Sequence, residues 1–103
     1  MNELIRIEQK RIGENEINSV DARELHAFLE NGYQFSKWIS ERIKQYDFTE
    51  GVDFITIVNS YYSPPRKDYI ISIDMAKELS MVERNEKGNY FELINTQYNE
   101  RIR

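Results

Sequence analysis

The stretch Asp68-Tyr69-Ile70-Ile71-Ser72-Ile73-Asp74-Met75-Ala76-Lys77-Glu78-Leu79-Ser80-Met81-Val82-Glu83-Arg84-Asn85-Glu86-Lys87-Gly88 changes its hydrophobic period partway along. Tyr69, Ile71 and Ile73 fall on one side of an extended segment, with Ile70 and Ser72 on the other; this period of two predicts a strand. From Asp74 onward Ala76, Leu79 and Val82 recur at helical spacing, and the Asp74 carboxylate is suited to accept from the free N–H groups of a first turn. A strand therefore runs directly into a helix, with Asp74 as the expected cap. Asn85-Glu86-Lys87-Gly88 is polar and finishes with the residue that most readily takes positive φ, so the helix is expected to stop near Gly88.

Upstream, Phe54 to Val58 is rich in β-branched residues and reads as a second strand. The intervening Asn59-Ser60-Tyr61-Tyr62-Ser63-Pro64-Pro65-Arg66-Lys67 holds two prolines that cannot sit in a central ladder, which makes it a hairpin loop with Arg66 and Lys67 at its tip. Before Glu50-Gly51, a turn, Phe35, Trp38, Ile39, Ile43 and Tyr46 fall three and four apart on a longer helix. Asn31-Gly32 separates it from a short helix carrying Ala22, Leu25 and Leu29, which Asp21 caps with the spacing of a capping box to Glu24. At the N-terminus Glu3 to Glu8 alternates like an edge strand, and Gly13-Glu14-Asn15 turns the chain into Glu16 to Val20. Phe91, Ile94, Tyr98 and Ile102 place a final helix at the C-terminus, with Arg101 and Arg103 near the negative end of its dipole. The predicted fold is α+β and winged-helix-like: an N-terminal β-hairpin, a helix-turn-helix pair, a β-hairpin wing and two C-terminal helices.

The 103 residues, 40% of them apolar, suffice for one domain with one core, taken as 1–103. Without cysteine, no disulfide or thiolate metal site can hold that fold. No apolar run reaches membrane-span length and Met1-Asn2-Glu3-Leu4-Ile5-Arg6 lacks signal-peptide character, so the expectation is a cytoplasmic protein without membrane contact. The net charge of −4 argues against non-specific coating of nucleic acid, leaving DNA contact to locally gathered cations. Such cations are partly gathered: from Gln34 to Tyr46 Lys37, Arg42 and Lys44 face one acid, Glu41, and Arg66-Lys67 follow a stretch without acids from Ser60.

The ordered blocks Ala22-Arg23-Glu24-Leu25-His26, Phe28-Leu29, Phe35-Ser36-Lys37-Trp38-Ile39, Arg42-Ile43, Glu50-Gly51-Val52-Asp53-Phe54 and the stretch from Asp68 resemble the AntA/AntB phage antirepressor family, with the core of the resemblance at 20–92. The resemblance implies an N-terminal antirepressor module, similar to the KilA-N and BRO-N modules of large DNA viruses and phages, and usually followed by a separate C-terminal domain. It implies a role in relieving repression of phage or prophage lytic genes inside a bacterial host, with a phage repressor protein as partner. One departure is local. Only Asn89 separates Gly88 from Tyr90-Phe91-Glu92, where the family tends to carry a longer stretch with arginine.

Two binding surfaces compete. Lys37, Arg42 and Lys44 on the second helix, with Arg66 and Lys67 on the hairpin, would suit DNA phosphates in a winged-helix arrangement. Lys37, Glu41 and Lys44 share a face and Arg42 points elsewhere, and the plain alternative is a solvated helix face. Tyr61 and Tyr62 have the chemistry of a protein interface or else fold back onto the core. Tyr98 and Ile102 either cap the core or pair two copies of the chain into a homo-oligomer. Trp38 reads as core, and a lone His26 makes no metal site. Asp53 and Asp68 would approach each other if their strands pair, but no nucleophile-base pair, phosphate loop or metal motif accompanies them. The expectation is therefore no catalysis, no cofactor and no bound metal.

Overall fold

A computed structural model describes residues 5–83 and 86–88. In chain order the elements are β1 (Glu8–Ile12), β2 (Asn15–Asp21), α1 (Ala22–Leu29), α2 (Phe35–Tyr46), β3 (Phe54–Asn59), β4 (Arg66–Ser72) and α3 (Ile73–Glu83). The four strands make one antiparallel sheet in the order β1-β2-β4-β3. Both hairpins thus join a single sheet, with β2 and β4 as its centre.

Register explains the core. Val20 pairs with Ile71, which also pairs with Phe54, so three buried apolar side chains line up across β2, β4 and β3. The helices pack against this sheet: α1 and α3 contact both β2 and β4, and α1 also contacts α2 and α3. Leu25 and Leu29 from α1, Trp38 and Ile39 from α2, and Met75 and Leu79 from α3 close the same cluster. Each such side chain contributes about 1.5–3 kcal/mol through removal from water.

β2 pairs with β4 only from Ser19 to Asp21, so the β1–β2 hairpin projects past the point where β4 gives way to α3. Its turn residue Gly13, at φ +69°, lies so near the Gly51 carbonyl that a Cβ there would collide with it. At the other end β2 leaves the sheet through α1. Asp21 caps that helix as its sequence spacing predicts, accepting from Arg23 N–H at 2.8 Å and Glu24 N–H at 3.4 Å. A left-handed Asp47 ends α2 in a Schellman arrangement, with Asp47 and Phe48 N–H groups donating to Lys44 and Ile43 carbonyls.

Several expectations are revised. The first strand is Glu8–Ile12 and not Glu3–Glu8, because the turn at Gly13-Glu14 pairs Ile12 with Asn15 and fixes the register from there. Ser72, not Asp74, caps α3: its hydroxyl accepts from Met75 N–H at 3.0 Å, and Asp74 lies within the first turn. Residues 86–88 are helical and Gly88 is buried, and the stop expected near Gly88 borders residues outside the described ones. β4 begins at Arg66, which pairs with Asn59 while Lys67 pairs with Val58, so these two cations belong to a strand and not to a loop tip. Asp53 and Asp68 do not meet, since Asp68 faces Ile57 and the Asp53 carbonyl accepts from Ser72 N–H. The expected final helix, with Tyr98 and Ile102, lies outside the described residues. No helix among the described residues is long and apolar enough to cross a membrane.

Candidate functional site

The loop between β3 and β4, residues 60–65, carries Tyr61 at 89% exposure and Tyr62 at 40%. Tyr61 N–H donates to Asn59 Oδ1 at 3.0 Å, and the two tyrosine rings stand perpendicular with centroids 5.4 Å apart. Neither ring reaches the core. Tyr62 is held from below by Arg66, whose guanidinium lies 4.2 Å from the ring centroid.

Arg66 is in turn fixed by Asp68. Its Nε lies 3.2 Å from Asp68 Oδ1, and its Nη2 donates to Oδ2 at 3.2 Å. The same Oδ1 also accepts from Arg23 Nε at 3.0 Å. Arg23 also donates through Nη2 to the Lys67 carbonyl at 3.0 Å and stacks 4.2 Å above the Phe35 ring. That carbonyl belongs to the part of β4 beyond its pairing with β2, where α1 has replaced a neighbouring strand. An alternating array, Phe35, Arg23, Asp68, Arg66 and Tyr62, therefore runs from the buried start of α2 to the exposed loop.

The α2 cations divide. Lys37 and Lys44 are exposed, with exposed Glu41 between them. Arg42 turns inward: Nη2 lies 3.5 Å from Glu83 Oε2 and Nη1 donates to Gln45 Oε1 at 3.1 Å. Glu83, 7% exposed, also accepts from Trp38 Nε1 at 3.1 Å, so its carboxylate joins α2 to α3. Tyr33, Gln34, Lys37, Trp38, Glu41 and Arg42 line a shallow groove of about 310 Å³ along this face. Of the expected cations, Lys37, Lys44 and Lys67 are exposed and form no ion pair among the described residues, while Arg42 and Arg66 are engaged internally.

His26 closes the α1–α2 turn. Its Nε2 lies 2.6 Å from the Tyr33 carbonyl, which can only accept, so Nε2 carries the hydrogen. The ring packs on Trp38 and Phe35 at centroid distances of 5.1 and 5.6 Å. Among the described residues no group of three or more His, Cys, Asp or Glu could hold a metal ion.

Sequence reasoning missed Arg23 and Asp68 as the residues that hold the loop. They are 45 positions apart, and neither has a periodicity that distinguishes it from an ordinary surface charge. It also missed the exposed apolar pair Ile57 and Val58 on β3, which the absence of any charge between Phe54 and Asn59 would have signalled. A sequence model described as AntA/AntB antirepressor matches residues 20–85, more than half of the chain. Neither the curated proteins nor the solved structures contain a match.

Proposed function

Given that this chain belongs to the AntA/AntB antirepressor family, a regulatory and not a catalytic family, we propose that it relieves repression of phage lytic genes by binding a repressor protein through the β3–β4 loop. One observation carries this reading: Tyr61 and Tyr62 stand in solvent on a loop that the Arg66–Asp68–Arg23 array has already ordered. Tyrosine and arginine are the residue types that anchor protein interfaces, and a loop held in place before binding loses less conformational freedom on docking. The net charge of −4 also favours encounter with a basic, DNA-binding partner. The site of action in this reading is the cytoplasm of the bacterial host. The test is co-purification with the repressor encoded beside the gene: wild-type protein retains it, and Tyr61→Ala with Tyr62→Ala releases it. Retention by the double variant at unchanged stability would sink the reading.

A second reading takes the module as a sequence-specific, winged-helix-like DNA binder. It is favoured by exposed Lys37 and Lys44 on α2 and by Lys67 on β4. Phosphate contacts by these lysines would make binding fall steeply with salt. A gel-shift titration on operator and random DNA at two salt concentrations decides the matter, with Lys37→Ala, Lys44→Ala and Lys67→Ala expected to abolish any shift. No shift at low salt would dismiss it.

A further inference from the structure

The two edges of the sheet are built differently. β1, Glu8-Gln9-Lys10-Arg11-Ile12, lines its edge with charges, and Glu8 pairs with both Arg6 and Lys10. Such charges discourage another strand from adding there. β3, Phe54-Ile55-Thr56-Ile57-Val58-Asn59, has no charge at all and exposes Ile57 at 44% and Val58 at 63%.

The backbone of β3 shows which part of this edge is open. Phe54 C=O accepts from Gly51 N–H at 2.8 Å, and Thr56 N–H donates to Glu50 Oε2 at 3.2 Å, both on the side away from β4. The period of two then directs both backbone groups of Val58 outward as well, while Ile57 and Asn59 direct theirs to β4. The protein's own Glu50-Gly51 segment thus covers the first half of the edge, and among the described residues nothing covers the Thr56 carbonyl or the Val58 N–H and C=O.

We infer that this open half of β3 pairs with β3 of a second copy, antiparallel about a two-fold axis at Val58, independently of any repressor contact. Self-pairing suits it because Val58 opposite Val58 exchanges both backbone hydrogen bonds reciprocally, the arrangement an isologous interface requires. Charge selects the same patch. Two chains of net charge −4 repel over most of their surface, and this uncharged strand with its exposed Ile57 and Val58 is where they approach without like charges meeting. The ladder is short, so the dimer forms and separates with concentration.

Sedimentation of the full chain over a concentration series tests this. The mass is expected to rise from 12.4 kDa to twice that value. Val58→Lys places two like charges across the axis and should weaken the dimer at least about tenfold, while Val52→Lys, at another exposed position on the chain before β3, leaves it intact. Hydrogen exchange supplies a readout on the unaltered protein: the Val58 amide should be protected at high concentration and exchange freely when dilute. A wild-type chain that stays monomeric throughout overturns the inference, as does a Val58→Lys chain that dimerises like wild type. Protection of the Val58 amide only when a repressor is added also overturns it, and assigns the edge to a strand of that partner.

Discussion

Arg23 Nε and Asp68 Oδ1 meet across 3.0 Å, joining the first turn of α1 to β4 at the point where β2 no longer flanks it. Asp68 is only 15% exposed and the same carboxylate also holds Arg66, so one acid compensates two guanidinium groups. Asp68→Ala removes the acceptor and leaves both cations facing each other. A cost of about 1–3 kcal/mol is expected, read as a fall in the urea midpoint. Arg23→Ala should lose a similar amount, since it also uncovers the Lys67 carbonyl and the Phe35 ring. Because the two residues share one contact, the double variant should be less destabilised than the sum of the single ones. Strict additivity would show that the array is incidental.

The cap of α3 makes a sharp comparison between neighbouring residues. Ser72 Oγ accepts from Met75 N–H in a buried setting, whereas Asp74 is exposed in the first turn. Ser72→Ala is expected to cost about 1 kcal/mol, lowering Tm by roughly 4–8 °C in a domain of this size. Asp74→Ala loses only a favourable interaction with the helix dipole, worth about 0.3–1 kcal/mol. The reverse ranking in thermal unfolding would restore Asp74 as the cap.

Elements whose periodicity and punctuation agree were legible in the sequence. Tyr69 and Ile71 marked the buried face of β4, Asp21 marked the start of α1, and Phe35, Trp38 and Ile39 marked the buried stripe of α2. Boundaries failed where a polar strand offered no alternation to read. Glu8 to Arg11 is exposed on both faces, and Arg66 and Lys67 looked like loop because they follow two prolines, while their pairing with Asn59 and Val58 depends on a partner strand. Local chemistry was also ambiguous at Ser72 and Asp74, both competent caps two residues apart. The candidate site was half legible: Tyr61 and Tyr62 were readable as loop aromatics and helical spacing set Arg42 on another face from Lys37 and Lys44, but nothing local showed that Arg42 is committed to Glu83.

Gly13 and Gly32 both take positive φ, +69° and +83°, yet their surroundings differ. Gly32 faces open space, so Gly32→Ala should cost only the left-handed backbone strain of roughly 1–2 kcal/mol. At Gly13 the added methyl group also meets the Gly51 carbonyl, and both partners are backbone. Gly13→Ala should therefore exceed Gly32→Ala, with the excess appearing as movement of the β1–β2 hairpin away from the turn before β3. Chemical-shift changes at residues 50–53 in the Gly13 variant, absent in the Gly32 variant, are the corresponding spectroscopic result. Equal costs and no such changes would show that the hairpin is not seated there.

Trp38 is the single tryptophan, so its fluorescence reports directly on the contact between α2 and α3. The Glu83 carboxylate accepts from the indole N–H and lies 3.5 Å from Arg42 Nη2, almost out of reach of water. Glu83→Gln keeps an acceptor for the indole but removes the charge opposite Arg42. Glu83→Ala removes both and leaves a largely buried guanidinium without its anion, which is the expensive way to break such a pair. The expected order of destabilisation is Glu83→Ala above Glu83→Gln, with the alanine variant losing about 2–4 kcal/mol and shifting the Trp38 emission maximum. Arg42→Ala should fall between them, since the indole hydrogen bond survives while Glu83 loses its counter-charge. An alanine variant with wild-type emission and stability would mean that α3 is held on α2 by apolar packing alone.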